Sequence, residues 1–189
     1  LAEKMNAIIV PPGAQFSFNS FLGPITAAAG WKKALGIFGG KNLILTLGGG
    51  LCQVSTTVYR AALLAGLPII ERKPHSLYVS YYKKFGEGLD ATVFSTGPDL
   101  VFLNDTPSYI FVQSYGDGDD AYVKIYGTSD GRKAILQGPY RSHDIPAEKG
   151  YLPSINEIAW FRTIQSADGE KKEEMITSRY RAIPRHPAR

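Results

Sequence analysis

Between Gly50 and Gly66 the apolar residues Val54, Val58, Ala61 and Ala65 recur at i, i+4, i+7 and i+11. That spacing puts them on one face and predicts a helix running from Leu51-Cys52 to Ala65, with Gly66 at the C-terminal cap. Shorter patterns surround it. Leu1, Met5 and Ile8 fall at helical spacing and predict a short helix over 1–9, ended by Pro11-Pro12-Gly13. Gln15 to Asn19 alternates strictly and predicts a strand, Gly23-Pro24 a turn, residues 25–35 a helix weakened by Gly30, and Leu43 to Leu47 a short buried strand. After the central helix, Ile69 to Tyr82 reads as extended, with His75, Leu77, Val79 and Tyr81 on one face. Pro74 places the strand's start, or a sheet edge, there. Lys83 to Gly88 is the expected loop and Leu89 to Phe94 the return strand.

Two more strands, Tyr109 to Tyr115 and Tyr122 to Tyr126, flank the acidic turn at 116–120. Residues 128–150 are rich in Gly, Pro and Ser and read as loop. Ile158 to Gln165 and Glu174 to Tyr180 form an expected terminal hairpin around Asp168-Gly169. The expected fold is α+β: a central helix, carrying Cys52 at its N-terminus, packed on a mostly antiparallel sheet. Residues 1–127 are expected to form the main domain, and 128–189 a C-terminal extension packed on it.

Composition narrows the chemistry. The chain has 189 residues, is 44% hydrophobic and carries a formal net charge of +4, enough for one domain with a real core. No run approaches the roughly 20 apolar residues that span a bilayer. The basic residues Arg179, Arg181, Arg185 and Arg189 read as a solvated tail, so no nucleic-acid partner is expected. Histidines at 75, 143 and 186 have no metal-ligand spacing with one another or with Cys52, so neither a metal nor a cofactor is expected. Because the chain opens on Leu1, it is expected to be part of a longer protein.

The one cysteine stands at the head of the central helix, directly after Gly48-Gly49-Gly50-Leu51. A thiol attacks as thiolate, and the positive end of a helix favours that form. The glycines let a substrate backbone come close. The backbone N–H of Cys52 or Gln53 is free to face an oxyanion. His75, early on the next strand, is the expected base. Asp90, on the strand after that, is the expected orienter of the imidazole, with Glu71, Asp99 and Asn104 in reserve for that role. Register is the difficulty. If the loop is 83–88, Asp90 pairs near Tyr81, roughly 20 Å along from His75, unless Gly86 and Gly88 mark a bulge. A cysteine before an apolar helix is ordinarily just buried, and a histidine on a strand just satisfied. The order of the parts is what favours chemistry.

Three blocks carry a resemblance: Gly48 to Tyr59 followed by Ala61 to Leu67, Glu71-Arg72-Lys73-Pro74-His75-Ser76, and Leu89-Asp90-Ala91-Thr92-Val93. Pro11-Pro12-Gly13 with Phe16 to Asn19 upstream, and Asp99-Leu100 with Phe102 and Asn104 downstream, fit the same pattern. Over about residues 5–127 the chain resembles the VanW family, a bacterial family linked by name to vancomycin resistance. The Cys-His-Asp order is also similar to the transglutaminase-like core. The resemblance implies an extracellular or cell-envelope location, peptidoglycan stem peptides as partners, and acyl transfer of the cysteine L,D-transpeptidase kind that forms 3-3 cross-links. A thiol hydrolase and a non-catalytic wall-binding module are the alternatives. The resemblance carries over Cys52 as nucleophile, His75 as base and Asp90 as orienter. Gly50, Gln53 and Ser55 would line the site, and Arg72 would hold a substrate carboxylate.

Overall fold

A computed structural model describes residues 5–38, 42–117 and 120–183. Among the described residues, eleven strands form four small sheets, each antiparallel throughout, accompanied by two α-helices. This is the expected α+β class, with the strands divided among sheets rather than gathered in one.

Near the start of the described chain, β1 (Ile8–Val10) buries Ile8 and Val10 and turns Ile9 to solvent, a period of two. That alternation overrides the helix expected over 1–9, of which residues 1–4 lie outside the described residues. Next, β2 (Gln15–Ser17) stops two residues short of the expected strand. Ser17 caps a one-turn helix α1 (Phe18–Leu22) by accepting a hydrogen bond from the Ser20 N–H.

The helix expected over 25–35 is absent. Turns over residues 27–30 lead to β3 (Lys33–Phe38), which pairs with β4 (Asn42–Leu47). Gly30 sits at φ 79°, and the Trp31 N–H and indole N–H fold back onto the Thr26 and Pro24 carbonyls. Such closure suits a tight turn, not a helix. The expected buried strand at Leu43–Leu47 exists, but its one recorded partner is β3 and Leu45 is 67% exposed.

The central helix α2 (Leu51–Leu64) matches its prediction closely. It ends in a Schellman turn: the Gly66 N–H donates to Leu63 O and the Leu67 N–H to Ala62 O, with Gly66 at φ 73°. Its buried set is wider than the predicted stripe. Val54 and Val58 are buried, Ala61 and Ala65 only partly, and Tyr59, Ala62 and Leu63 complete the inner face.

After α2, β5 (Ile69–Glu71) pairs with β6 (Val101–Leu103), which also pairs with β2. The predicted acidic hairpin is β7 (Ile110–Asp117) and β8 (Asp120–Gly127), with β1 on the far side of β7. The expected loop at 128–150 contains a further strand, β9 (Lys133–Tyr140). It joins the terminal hairpin, β10 (Glu157–Gln165) and β11 (Lys171–Arg179), in register Ile158↔Ser178 to Gln165↔Lys171. Helix α2 packs on β8 and β9. Ile158, Trp160 and Tyr180 belong to the same buried cluster as Val58, Phe102 and Val112, so residues beyond 127 share one core with those before.

Candidate active site

Cys52 is the second residue of α2 and is half-buried. Gly50 precedes the helix at φ 87°, where L side chains are strained, and a Cβ there would meet nothing within 4 Å. Gly48 is different: at φ 78° its Cβ position lies 2.8 Å from Leu51 Cδ1 and 3.1 Å from Ile25 Cγ2. One glycine therefore opens the site and the other packs its floor. At the helix head the Leu51 N–H donates to Gly48 O and the Gln53 N–H to Gly50 O. Of the two N–H groups expected to face an oxyanion, Gln53's is thus already committed. Cys52's has no protein acceptor among the described residues. The Gln53 side chain is exposed.

His75 and Asp90 do not sit on strands. The extended run expected over 69–82 stops at Glu71, residues 72–79 are irregular, and Ser80–Phe85 form a 3-10 helix. Leu89 to Phe94 is likewise irregular. Early termination is what solves the register problem. The segments around His75 and Asp90 meet directly, with the Thr92 N–H donating to Lys73 O at 2.7 Å, and the chain between them makes a wide excursion. Gly86 and Gly88 are turn residues and not a bulge. At Gly88 a Cβ would stand 2.7 Å from Ile158 Cγ2, so the glycine lets β10 approach.

Asp90 is 1% exposed, and Oδ2 lies 2.5 Å from His75 Nδ1 and 2.7 Å from the His75 backbone N–H, which donates to it. Its other oxygen, Oδ1, accepts from the Tyr180 hydroxyl at 2.5 Å and stands 3.4 Å from Arg72 Nη2. Burial opposes the charged imidazole. The hydrogen bond to Asp90 and the influence of the nearby Cys52 thiol outweigh it and hold the His75 pKa up at about 9. Burial also opposes the Asp90 carboxylate, but the bond to His75 and the Arg72 guanidinium bring it below its usual range. His75 and Asp90 thus form a bonded pair in the interior near the head of α2, while Cys52 Sγ donates to Val93 O at 3.7 Å. The reserves for the third position are elsewhere: Glu71 accepts from the Asp99 N–H, Asp99 accepts from Ser17, and Asn104 donates to Val10 O and Ser108 O.

Two expected lining residues turn inward. Ser55 is fully buried and donates to Ala91 O at 2.7 Å and Cys52 O at 3.2 Å. Arg72 gives Nε to Asp90 O, Nη1 to Thr177 O, and Nη2 to Gly88 O and Ser178 Oγ, and its guanidinium lies 5.1 Å from the Tyr59 ring centroid. The side chain is 8% exposed. Its fork is occupied by protein carbonyls, so it braces the Asp90 segment where the sequence suggested a substrate carboxylate.

Sequence reasoning missed three neighbours. Thr56 Oγ1 accepts from the Ala91 N–H. Tyr82 is buried with its ring 5.7 Å from His75, and burial raises its phenol pKa. Tyr180 reaches in from the far end of the chain. Thr56 follows Ser55 in the quoted block and was within reach of the pattern. Tyr82 and Tyr180 carry no local signal that separates them from the chain's nine other tyrosines.

The structure thus shows an α+β scaffold with a cysteine at a helix head and a buried, hydrogen-bonded His-Asp pair. The chain belongs to the VanW-like family, whose profile, described as VanW like protein, matches residues 1–126. It is 33% identical over 147 residues to the uncharacterized protein YoaR of Bacillus subtilis, covering 78% of this chain and 47% of that one. It is 32% identical over 143 residues to the vancomycin B-type resistance protein VanW of Enterococcus faecalis, covering 72% of this chain and 45% of that one. The chain spans about half the length of the curated relatives it matches. No solved structure matches it significantly. Among the described residues no helix is long and apolar enough to cross a membrane.

Proposed function

We propose that this chain is a cysteine acyltransferase of the cell envelope acting on peptidoglycan stem peptides, specifically an L,D-transpeptidase forming 3-3 cross-links. The observation that carries the reading is the buried His75 Nδ1–Asp90 Oδ2 pair set near Cys52 at the head of α2. The order of residues is similar to the transglutaminase-like core, which fits the same chemistry. Vancomycin resistance, named for a relative at 32% identity, points to the wall as the place of action.

In the first step the Cys52 sulfur adds to a carbonyl of the donor stem. The C–N bond to the terminal D-amino acid breaks, and His75 delivers the thiol's proton to the departing amine. In the second, an amine of a neighbouring stem adds to the thioester, the C–S bond breaks, and the amine's proton returns through His75 to sulfur. The uncommitted Cys52 N–H is the group available to the oxyanion in both steps. Gly50 leaves room for the stem's backbone.

Cys52→Ala, checked for folding by circular dichroism, is expected to abolish the 3-3 cross-links seen in cell-wall digests. Unchanged cross-linking by a folded variant rejects the proposal. Incubation of the protein with a stem peptide and a free amine reads the acceptor: the amide product is expected, and release of the free acid alone would make the enzyme a thiol hydrolase.

A further inference from the structure

The family profile ends at residue 126, yet the innermost carboxylate of the site takes a hydrogen bond from residue 180. Asp90 has two oxygens with different duties. Oδ2 is used twice by His75, through Nδ1 and the backbone N–H. Oδ1 faces Arg72 Nη2 at 3.4 Å, too long and too divided for a strong bond because that nitrogen also serves Gly88 O at 2.9 Å and Ser178 Oγ at 2.6 Å. The short contact to Oδ1 is the Tyr180 hydroxyl, at 2.5 Å.

Tyr180 is itself held on every side. It is 5% exposed and its N–H donates to Asn156 O. The next N–H, of Arg181, donates to Ser76 O, one residue beyond the histidine. Its ring meets Tyr78 edge-on at 5.6 Å, and the Tyr78 hydroxyl donates to Glu87, which is paired with Arg141. A phenol fixed this tightly can fix what it touches.

We propose that Tyr180 is a positioning residue of the Cys52-His75-Asp90 site: its hydroxyl anchors Asp90 Oδ1 so that Oδ2 stays directed at His75. The proposal rests on the acyl-transfer reading above for its catalytic meaning, though the positioning itself is readable without turnover. Without the hydroxyl, Oδ1 would be buried with Arg72 as its one close side-chain donor among the described residues. The carboxylate would then either turn toward Arg72 or take up a proton, and both changes weaken its hold on the imidazole. The charged and titratable groups concerned are Asp90, Cys52 and Tyr82 around His75, His75, Arg72 and Tyr180 around Asp90, and Arg60 behind the Tyr82 ring at 5.6 Å.

The test is NMR titration of the His75 imidazole in the full chain, its signals identified by their loss in His75→Gln. Tyr180→Phe keeps the ring against Tyr78 and removes one oxygen. Its His75 midpoint is expected to fall by about one pH unit, the size of one lost hydrogen bond to a charged group. Transfer to a free amine is expected to slow about tenfold at neutral pH with KM unchanged. A Tyr180→Phe protein that folds with the wild-type midpoint overturns the proposal, since a purely packing role would leave that midpoint in place. Should the Phe variant not fold, 4-fluorophenylalanine at position 180 keeps the ring's shape and fills the hydroxyl's place without a donor, and an unmoved His75 midpoint there overturns it equally. A wild-type protein with no transfer activity but a shifted midpoint in Tyr180→Phe would sink the enzyme reading and leave the positioning intact.

Discussion

His75 is a basic group in a buried place, and its charge has consequences for stability as well as chemistry. Its pKa is held at about 9 in the folded protein, above the ordinary 6.5. A raised folded value favours the folded state while the group is protonated in both states. The contribution is therefore complete below about 6.5 and disappears as pH rises through about 9. Asp90, held below its usual range, acts in the opposite sense, and its contribution is lost as acid protonates it. Denaturant midpoints are expected to decline between pH 6.5 and 9 in the wild type and to lose that decline in His75→Gln. Asp90→Ala leaves His75, Arg72 and Tyr180 facing an empty oxygen site in the interior, and a loss of about 3–5 kcal/mol in unfolding free energy is expected. At this scale the meeting of His75 with Asp90 was legible, since the Asp90 carboxylate does reach the His75 ring and backbone N–H. The sequence was misleading for Ser55 and Arg72, because a side chain's direction follows from packing partners such as Ala91 and Thr177 that lie far away in the chain.

Helix α2 is the element whose sequence signal was least ambiguous. Its apolar period, its glycine exit and its glycine-rich entry all agree, so local preference and tertiary packing point the same way. The two ends respond differently to substitution. Gly50→Ala meets no neighbour and costs about 1–2 kcal/mol from its left-handed backbone alone. Gly48→Ala adds a collision with Leu51 Cδ1 to the same strain and is expected to lower Tm further. Paired melting curves of the two variants check the order. The segments that bear His75 and Asp90 were the least legible. Alternation in 75–82 imitates a strand, but Pro74 and the 3-10 turn at Ser80–Phe85 break it, and side-chain bonds from Arg72, Thr56 and Asp90 replace a ladder. Helix 25–35 failed for a related reason: Gly30 and the Trp31 contacts close a turn that periodicity alone does not reveal.

For the whole molecule, the C-terminal sheet is joined to helix α2, which carries Cys52, as well as to the Asp90 carboxylate. Arg162 on β10 is 1% exposed, donates to Leu67 O just past the end of α2, and pairs with Glu174 on β11. Arg162→Met is expected to cost about 3–5 kcal/mol, because it strips a buried pair of one member and leaves those carbonyl and carboxylate groups unmatched. Chains ending at residue 127 lose Ile158, Trp160 and Tyr180 from the core. They are expected to show a non-cooperative thermal transition by circular dichroism. A sharp transition at the full-length Tm would refute the dependence. None of these cross-chain bonds is visible from residue order, which explains why 128–150 read as loop although it holds β9. The solitary sulfur has one more implication. Within these 189 residues there is no second thiol, so a sulfenic acid formed at Cys52 would find no thiol among them to condense with and could close only onto a backbone nitrogen.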